Sequence, residues 1–391
     1  MSNDTESTNK ISEENLNKLS YSKMDVNGTE LNDGKFSNVI TAFNFEITKI
    51  PIEEVYKRIK SNIDKLALIE SHENCVPFHL AKRYIEQSMH LKDPQSKDFL
   101  KSKDYEMIEA TWMFRISDVL EKIFLNYILN NDNIILHVTK NREKFINTLF
   151  NEILKVEAPV KIEQKDGVNQ LALDIWQKGM IVFRGSDLNA AVQEVLDAFD
   201  DPLTGAELQS IYIQESCSEE FTEILKGKLR SYPEELLRDK FFLKEYKNNI
   251  EIVKGLNAKL LTSEGNELSN KVIPTIIYDV ARKHFQENIL TPIITLHIFR
   301  TVKDVVSLLE GERNLSIWCS NTSVAFEIVR KSKTSLFQLN CYDVTFPIDL
   351  KLNCGSDSKV IMDDEYHYEF FTEANGQKKF VVYPYGATFS N

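Results

Sequence analysis

The 391-residue chain contains no run of about 18 apolar residues, so no stretch of it reads as a membrane-spanning helix. Paired cysteine spacing is also missing. The five cysteines, Cys75, Cys217, Cys319, Cys341 and Cys354, are odd in number and include no C-x-x-C pair. They therefore give no disulfide framework, and with seven scattered histidines they give no zinc site; no metal is expected. Basic charge is in deficit. Forty-seven Lys and Arg face 59 Asp and Glu, a net charge of -12, which argues against a nucleic-acid or anionic-membrane surface. The one basic run, "RKSK" from Arg330 to Lys333, reads as a solvated helix end. The opening "MSNDTESTNKISEENLNK" is polar and acidic and lacks the apolar core of a secretory leader, so the expected location is cytoplasmic.

A chain of this length that is 42% hydrophobic and 27% charged is expected to be globular, as two or three domains or one large α/β unit. Residues 1–40 are rich in Ser, Asn, Asp and Glu and are expected to be disordered. Val55, Ile59, Ile63 and Leu66 recur at helical spacing, and "CVPFHLAKRYIEQSMH" predicts a second helix before the polar connector "DPQSKDFLKSKD". From about residue 105, helices and short apolar strands alternate. "DVLEKIFLNYIL" precedes "NIILHV", "REKFINTLFNEILK" precedes "MIVF", and "DLNAAVQEVLDAF" precedes "QSIYIQ". Two capping boxes are predicted, Ser216 with Glu219 and Thr301 with Asp304. The strands "VIPTIIYDV", "TPIITLHIF", "LSIWCS" and "LFQLN" and the helices among them continue the pattern, and "GQKKFVVYPYG" reads as a last strand. This order implies an α/β architecture with largely parallel sheets.

"KGMIVFRGSDLNAAVQEVLDAF" followed by "QSIYIQESCSEEFTEIL" resembles the aldehyde dehydrogenase superfamily, in which "ELGGK" leads into "DADLDAAV" and later into a strand ending "VQE". "TWMFR" resembles that family's "PWNFP", and "NNDNIILHV" its "AGNTVVLKP". "QENILTPIITLHIF" resembles "EEIFGPV", and "EYHYEFFTEANGQKKFVVYP" its closing tail. The resemblance covers residues 105–385 and rests on the order of these landmarks. It implies a degenerate Rossmann-like N-terminal domain, an α/β catalytic-type domain and a C-terminal β tail. The corresponding division is 1–40, 41–173, 174–350 and 351–391, the last segment serving oligomerisation.

The family's reaction needs a thiolate, an oxyanion donor, a base and a seat for a nicotinamide dinucleotide. By resemblance, the nucleophile position falls on Gly205, with Thr204 beside it and no thiol at either. The oxyanion-hole Asn position holds Met113, whose thioether donates no hydrogen bond, although Trp112 and Phe114 are kept in kind as packing residues. The base position holds Asp174, one methylene shorter than Glu, and Trp176 stands where the family has glycine and is expected to fill the vacated space. The cofactor lysine position holds His137 and the following one Lys140. The ribose-binding acid position holds Asn288, next to Glu287, and Leu290 replaces the motif's Phe. The segment that feeds the family's phosphate-binding helix is too short here, and Gly167 is its single glycine.

No cofactor is therefore expected, and no catalytic residue. The resemblance then implies a catalytically inactive protein with a scaffold, regulatory or partner-binding role. It would be a homodimer, or a heterodimer with a related aldehyde dehydrogenase, joined through the tail strand. The alternatives are an active NAD(P)-dependent dehydrogenase, an esterase-like enzyme using Asp174 with Cys217 or Thr204, and a small-molecule sensor with a remodelled pocket. Cys217, at a helix start, reads foremost as a half-buried cap-region residue, and His137, His284 and His297 as half-exposed polar residues.

Overall fold

A computed structural model describes residues 39–45, 50–89, 106–110, 115–128, 134–139, 143–155, 160–166, 178–201, 208–234, 236–238, 240–264, 272–281, 284, 293–309, 311–344, 359–362 and 365–386. Two sheets organise them. The first has four strands, β1 (Val39–Phe45), β2 (Glu106–Ala110), β3 (Ile134–Thr139) and β4 (Val160–Asp166), in the order β2-β3-β1-β4. β2 is parallel to β3, whereas β1 runs antiparallel to both β3 and β4. β1 begins at Val39, within the segment expected to lack structure.

Helices α1 (Ile52–Lys60), α2 (Ile63–Glu73), α3 (Phe78–Ser88), α4 (Ile116–Ile128) and α5 (Glu143–Asn147) accompany this sheet, α5 continuing into a π-helical turn at Thr148–Leu154. The single helix predicted through Val55 and Leu66 is two helices, broken at Ser61 and Asn62. Val55 and Ile59 of α1, Leu66 and Ile69 of α2 and Leu80 of α3 share one core with Val119 and Phe124 of α4. Tyr56 stacks on Phe124 with ring centroids 4.5 Å apart.

The second sheet has ten strands. They are β5 (Lys178–Val182), β6 (Leu208–Gln214), β7 (Leu260–Thr262), β8 (Thr275–Tyr278), β9 (Ile293–Phe299), β10 (Asn314–Trp318), β11 (Leu336–Leu339), β12 (Lys359–Met362), β13 (Tyr366–Thr372) and β14 (Lys378–Pro384). Their order is β12-β13-β14-β11-β10-β5-β6-β9-β8-β7. Pairs from β8 through β14 across the centre are parallel, and β7, β12 and β13 add antiparallel strands at the two sides. β5 and β10 are buried at every position, as strands covered on both faces should be, so they read in sequence as continuous runs without alternation.

Helices α6 (Leu188–Asp200), α7 (Glu215–Lys228) and α8 (Lys240–Leu256) cover one face, where Val192, Phe221 and Ile250 pack against Val182, Ile211 and Ile276. Helices α9 (Val302–Leu308) and α10 (Thr322–Lys331) cover the other, with Val305 and Ile328 against Ile181 and Leu315. The chain leaves β5 through α6 toward β6 on one side, but returns from β9 to β10 on the far side of β5 and continues to β11. Right-handed crossovers running in opposite directions must lie on opposite faces, which accounts for the two helical layers.

The capping box at Thr301 forms, with both Thr301 Oγ1 and the Asp304 carboxylate accepting backbone N–H groups. The one predicted at Ser216 does not. β6 runs directly into α7 at Glu215, so Ser216 already lies in the first turn and Gln214 stands at the cap without a side-chain capping bond. The tail strand β14 is interior, bonded to β11 on one side and β13 on the other. Lys379, fully buried on β14, donates to the carbonyls of Ser332 (2.7 Å) and Thr334 (2.8 Å) just beyond α10, fastening the tail to the sheet's helical layer.

Candidate functional site

Neighbouring strands whose connections depart in opposite directions leave a crevice outside their carboxyl ends, and β5 and β10 are such a pair. A cavity of about 700 Å³ opens there. Its floor is the segment after β5, Gly185 to Asp187, and the segment after β10, Cys319 and Ser320. Gly185 has φ of +82°, and a Cβ there would stand 3.2 Å from Ser320 Oγ, so glycine suits both the turn and the close approach. Asp187 caps α6 by accepting from Ala190 N at 2.9 Å.

The chain after β11 forms the next wall. Asn340 adopts φ of +53°, a region Asn tolerates, and turns the chain back across the face of the sheet. Its amide accepts from Cys319 N at 2.8 Å and donates to Cys319 O at 2.9 Å, extending the β10–β11 pairing by a side chain. Ser316 Oγ donates to Cys341 O at 2.6 Å, and Gln338 accepts from Val344 N at 2.9 Å, so the returning segment is held at three points.

That segment delivers Asp343 into a buried charge cluster. Asp343 takes Arg115 Nη1 at 3.0 Å and pairs with Lys178 Nζ, while Arg115 Nη2 lies 3.1 Å from Asp201. The Arg115 guanidinium sits 4.1 Å above the Tyr84 ring. Burial by itself would raise the Asp343 carboxyl, but the Lys178 ammonium and Arg115 guanidinium outweigh it and hold that carboxyl well below the usual range. A second link, Arg83 to Asp197 at 2.6 Å, ties α3 to α6 beside the cavity. The two links join the helices of the first core to the ten-stranded sheet.

Glu194 of α6 lines the cavity. Burial pushes its carboxyl up to about 7 against the opposing pull of Arg83, and the charges of Asp197 and Asp343 add to the rise. Two buried N–H groups on cavity-lining residues, Nε of Arg83 and Nε1 of Trp318, have no acceptor among the described residues. Trp318 is 4% exposed. Two aromatic rings, Tyr366 and Tyr385, stand at the side of β13 and β14, and Tyr385 is 62% exposed.

Gly205, Met113, Asp174, Lys140 and Asn288 lie outside the described residues, as do Thr204, Trp176, Glu287 and Leu290. His137 is inside β3, opposite Ala42 of β1 and Glu109 of β2. Cys217 is buried more deeply than expected, its thiol donates to Gln214 O at 3.4 Å, and burial pushes that thiol up despite the helix N-terminus. Burial also raises the thiols of Cys319 and Cys341, both of which line the cavity. Among the described residues no group of three His, Cys, Asp or Glu side chains is placed to hold a metal ion, and no helix is long and apolar enough to cross a membrane. The cavity residues Arg83, Glu194 and Trp318 went unnoticed in the sequence, where nothing marks them apart from helix and strand packing.

A family model described as "Protein of unknown function (DUF1487)" matches residues 175–389, which is more than half of the chain and spans the ten-stranded sheet. The chain belongs to this family. No functionally curated protein matches it. Solved structures resemble it at low identity. A point mutant of betaine aldehyde dehydrogenase from Staphylococcus aureus is 11% identical with a TM-score of 0.60, covering 86% of this chain and 84% of the other. An oxidoreductase from Marinobacter aquaeolei is 14% identical with a TM-score of 0.55, covering 76% and 77%. An NADP-dependent enzyme from E. coli is 14% identical with a TM-score of 0.53, covering 77% and 78%. This DUF1487 member therefore has an aldehyde-dehydrogenase-like α/β fold, as its sequence landmarks imply, and likeness at such identities speaks of the fold alone.

Proposed function

We propose that this DUF1487 member is an aldehyde-dehydrogenase-like protein without the oxidation chemistry of that fold, acting as a scaffold or regulatory subunit in a homodimer or a heterodimer with a related enzyme. The observation that supports this reading is the state of three of its five thiols, Cys75 being half-buried and Cys354 lying outside the described residues. Carbonyl oxidation of this type begins with a thiolate, and thiolates form where positive charge or an open helix end lowers the thiol's pKa. Cys217, Cys319 and Cys341 are all buried, with thiols raised by burial. The sequence offers Gly205 at the position where the resemblance puts the nucleophile, and Met113 where it puts an oxyanion donor. His137 and Asn288 stand at the positions that would bind the dinucleotide, in place of the family's lysine and acid.

The assembly reading draws on the tail. Because β14 is paired on both sides, the outer strand there is β12, bonded to β13 alone among the described residues. A strand at the outer side of a sheet is suited to pairing with a neighbouring chain. The test combines two measurements on the purified protein. Absorbance at 340 nm with NAD⁺ or NADP⁺ and a panel of aldehydes should show no turnover, and light scattering at micromolar concentration should show a dimer. Turnover lost on substitution near Asp174 or Gly205 would overturn the inactive reading. A monomer at that concentration that also fails to join a co-expressed active relative would overturn the assembly reading.

A further inference from the structure

We propose that the cavity at the β5–β10 crevice binds a small organic cation, a primary ammonium group on an apolar body, through the Glu194 carboxylate and the tyrosine rings of the same lining.

Helical spacing brings the carboxylate to the cavity. Asp187, Ala190 and Glu194 all line it, and at steps of three and four they form one stripe along α6. Arg83 and Gln87, four apart on α3, line it as well. Asp197 continues the α6 stripe and holds Arg83 at 2.6 Å, while Asp187 caps the helix. Glu194, between them, takes part in no hydrogen bond or ion pair among the described residues, and its carboxylate keeps accessible surface.

Charge selects the sign of the ligand. Four charged residues line the cavity, Arg83, Asp187, Glu194 and Asp343. Arg83 is met by Asp197, and Asp343 by Lys178 and Arg115. The charge left over is negative, which attracts a cation and repels an anion. A carboxylate without a donor is best answered by a cation that carries N–H groups, so a primary ammonium suits it better than a quaternary one. A hard metal ion asks for about six oxygen ligands, and among the described residues no three His, Cys, Asp or Glu side chains are placed to hold one.

The walls select the body. Tyr342, Tyr366 and Tyr385 share the lining. Tyr385 is 62% exposed and ends a column in which His367 stacks between it and Tyr383, with centroid distances of 5.2 and 5.1 Å. Tyrosine rings attract an ammonium group through their faces and cover apolar surface. A volume of about 700 Å³ lies within the range of small-molecule sites.

Binding is linked to protons. Facing Glu194 are Arg83 from α3, Asp197 on its own helix, and Cys341 and Asp343 from the segment after β11. Burial pushes the Glu194 carboxyl up to about 7, whereas Asp343 is held ionised by its cations and burial keeps the Cys341 thiol protonated. The ammonium takes the ionised form of Glu194, so affinity rises as pH rises through 7 and binding releases a proton.

The test is calorimetric titration of the full-length protein with three probes that share a body and differ in the head group: 2-phenylethylammonium, 2-phenylethanol and 3-phenylpropanoate. The ammonium should bind about tenfold more tightly at pH 8 than at pH 6, as the ionised fraction of Glu194 grows. At pH 8 it should bind at least about tenfold more tightly than the alcohol or the carboxylate. Glu194→Gln should lower its affinity at pH 8 about tenfold and flatten the pH dependence. Tyr385→Leu, at an exposed position, should weaken it about two- to fivefold. The proposal is overturned if the ammonium fails to bind at millimolar concentration, if the alcohol or the carboxylate binds as tightly, or if a folded Glu194→Gln binds the ammonium as the wild type does. None of these readouts depends on aldehyde turnover or on oligomeric state, so the result is separate from that of the proposed function.

Discussion

Replacing Asp343 with Asn tests whether the buried charge cluster fastens the helices of the first core to the ten-stranded sheet. Four charged groups meet there, Arg115 and Lys178 with Asp201 and Asp343, and their side chains are between 0% and 13% exposed. Among the described residues these four charges balance one another. Asp343→Asn leaves two cations facing one carboxylate, and an uncompensated buried charge of this kind costs about 3–5 kcal/mol. That is a large share of the ~5–15 kcal/mol by which a domain is stable. With a urea slope of about 3 kcal/mol per molar, the unfolding midpoint followed by circular dichroism should fall by roughly 1–1.7 M. Adding Lys178→Met removes the surplus cation and leaves Arg115 with Asp201, so the double variant should recover more than half of the loss. The pH dependence has a definite sign. The Asp343 carboxyl is held below its ordinary value, so its contribution is complete above about pH 4 and is lost as pH falls through the folded value. Wild type should therefore lose stability on acidification below about pH 4 more steeply than Asp343→Asn does. Additive effects of the two substitutions, or equal acid profiles, would refute the cluster as the fastening.

Glu194 gives a pH effect of the opposite sign. Its folded value of about 7 lies above that of an unfolded Glu, so its stabilising proton is lost as pH rises from about 4.5 through 7; Glu194→Gln should gain melting temperature relative to wild type across that window, read by differential scanning fluorimetry. Lys379→Met should destabilise the protein by about 2 kcal/mol in urea titrations, because it leaves the Ser332 and Thr334 carbonyls buried without their donor. Iodoacetamide at pH 7.5 should leave Cys217, Cys319 and Cys341 unmodified in the folded protein and label all three in urea, as mass spectrometry would show; rapid labelling of any of them in the native state would contradict their buried, protonated condition.

The central parallel strands of the large sheet were legible because burial on both faces leaves them as short apolar runs such as "MIVF" and "SIYI", bounded by polar turns, whereas the antiparallel β7, β12 and β13 were not. Helix α8 is not among the helices expected from the sequence, although Phe242, Tyr246, Ile250 and Val253 repeat at the helical period and all are buried. The strands of the small sheet were harder. β4 is "VKIEQKD", with too few large apolar residues to announce a strand, and it becomes one by pairing with β1, more than a hundred residues earlier. The cavity and its charge cluster were illegible for a related reason. Arg115 and Asp343 are 228 positions apart, and Lys178 and Asp343 are 165 apart. No local pattern links them, since tertiary folding alone supplies the opposite charge that makes each acceptable inside.

The placement of β14 matters for synthesis on the ribosome. β11 is complete some forty residues before its outer neighbour has been translated, so the nascent sheet waits with a bare, hydrogen-bond-hungry border at Leu336 to Leu339. A message truncated between the two would release a product that polymerises through that border instead of one that is merely shorter.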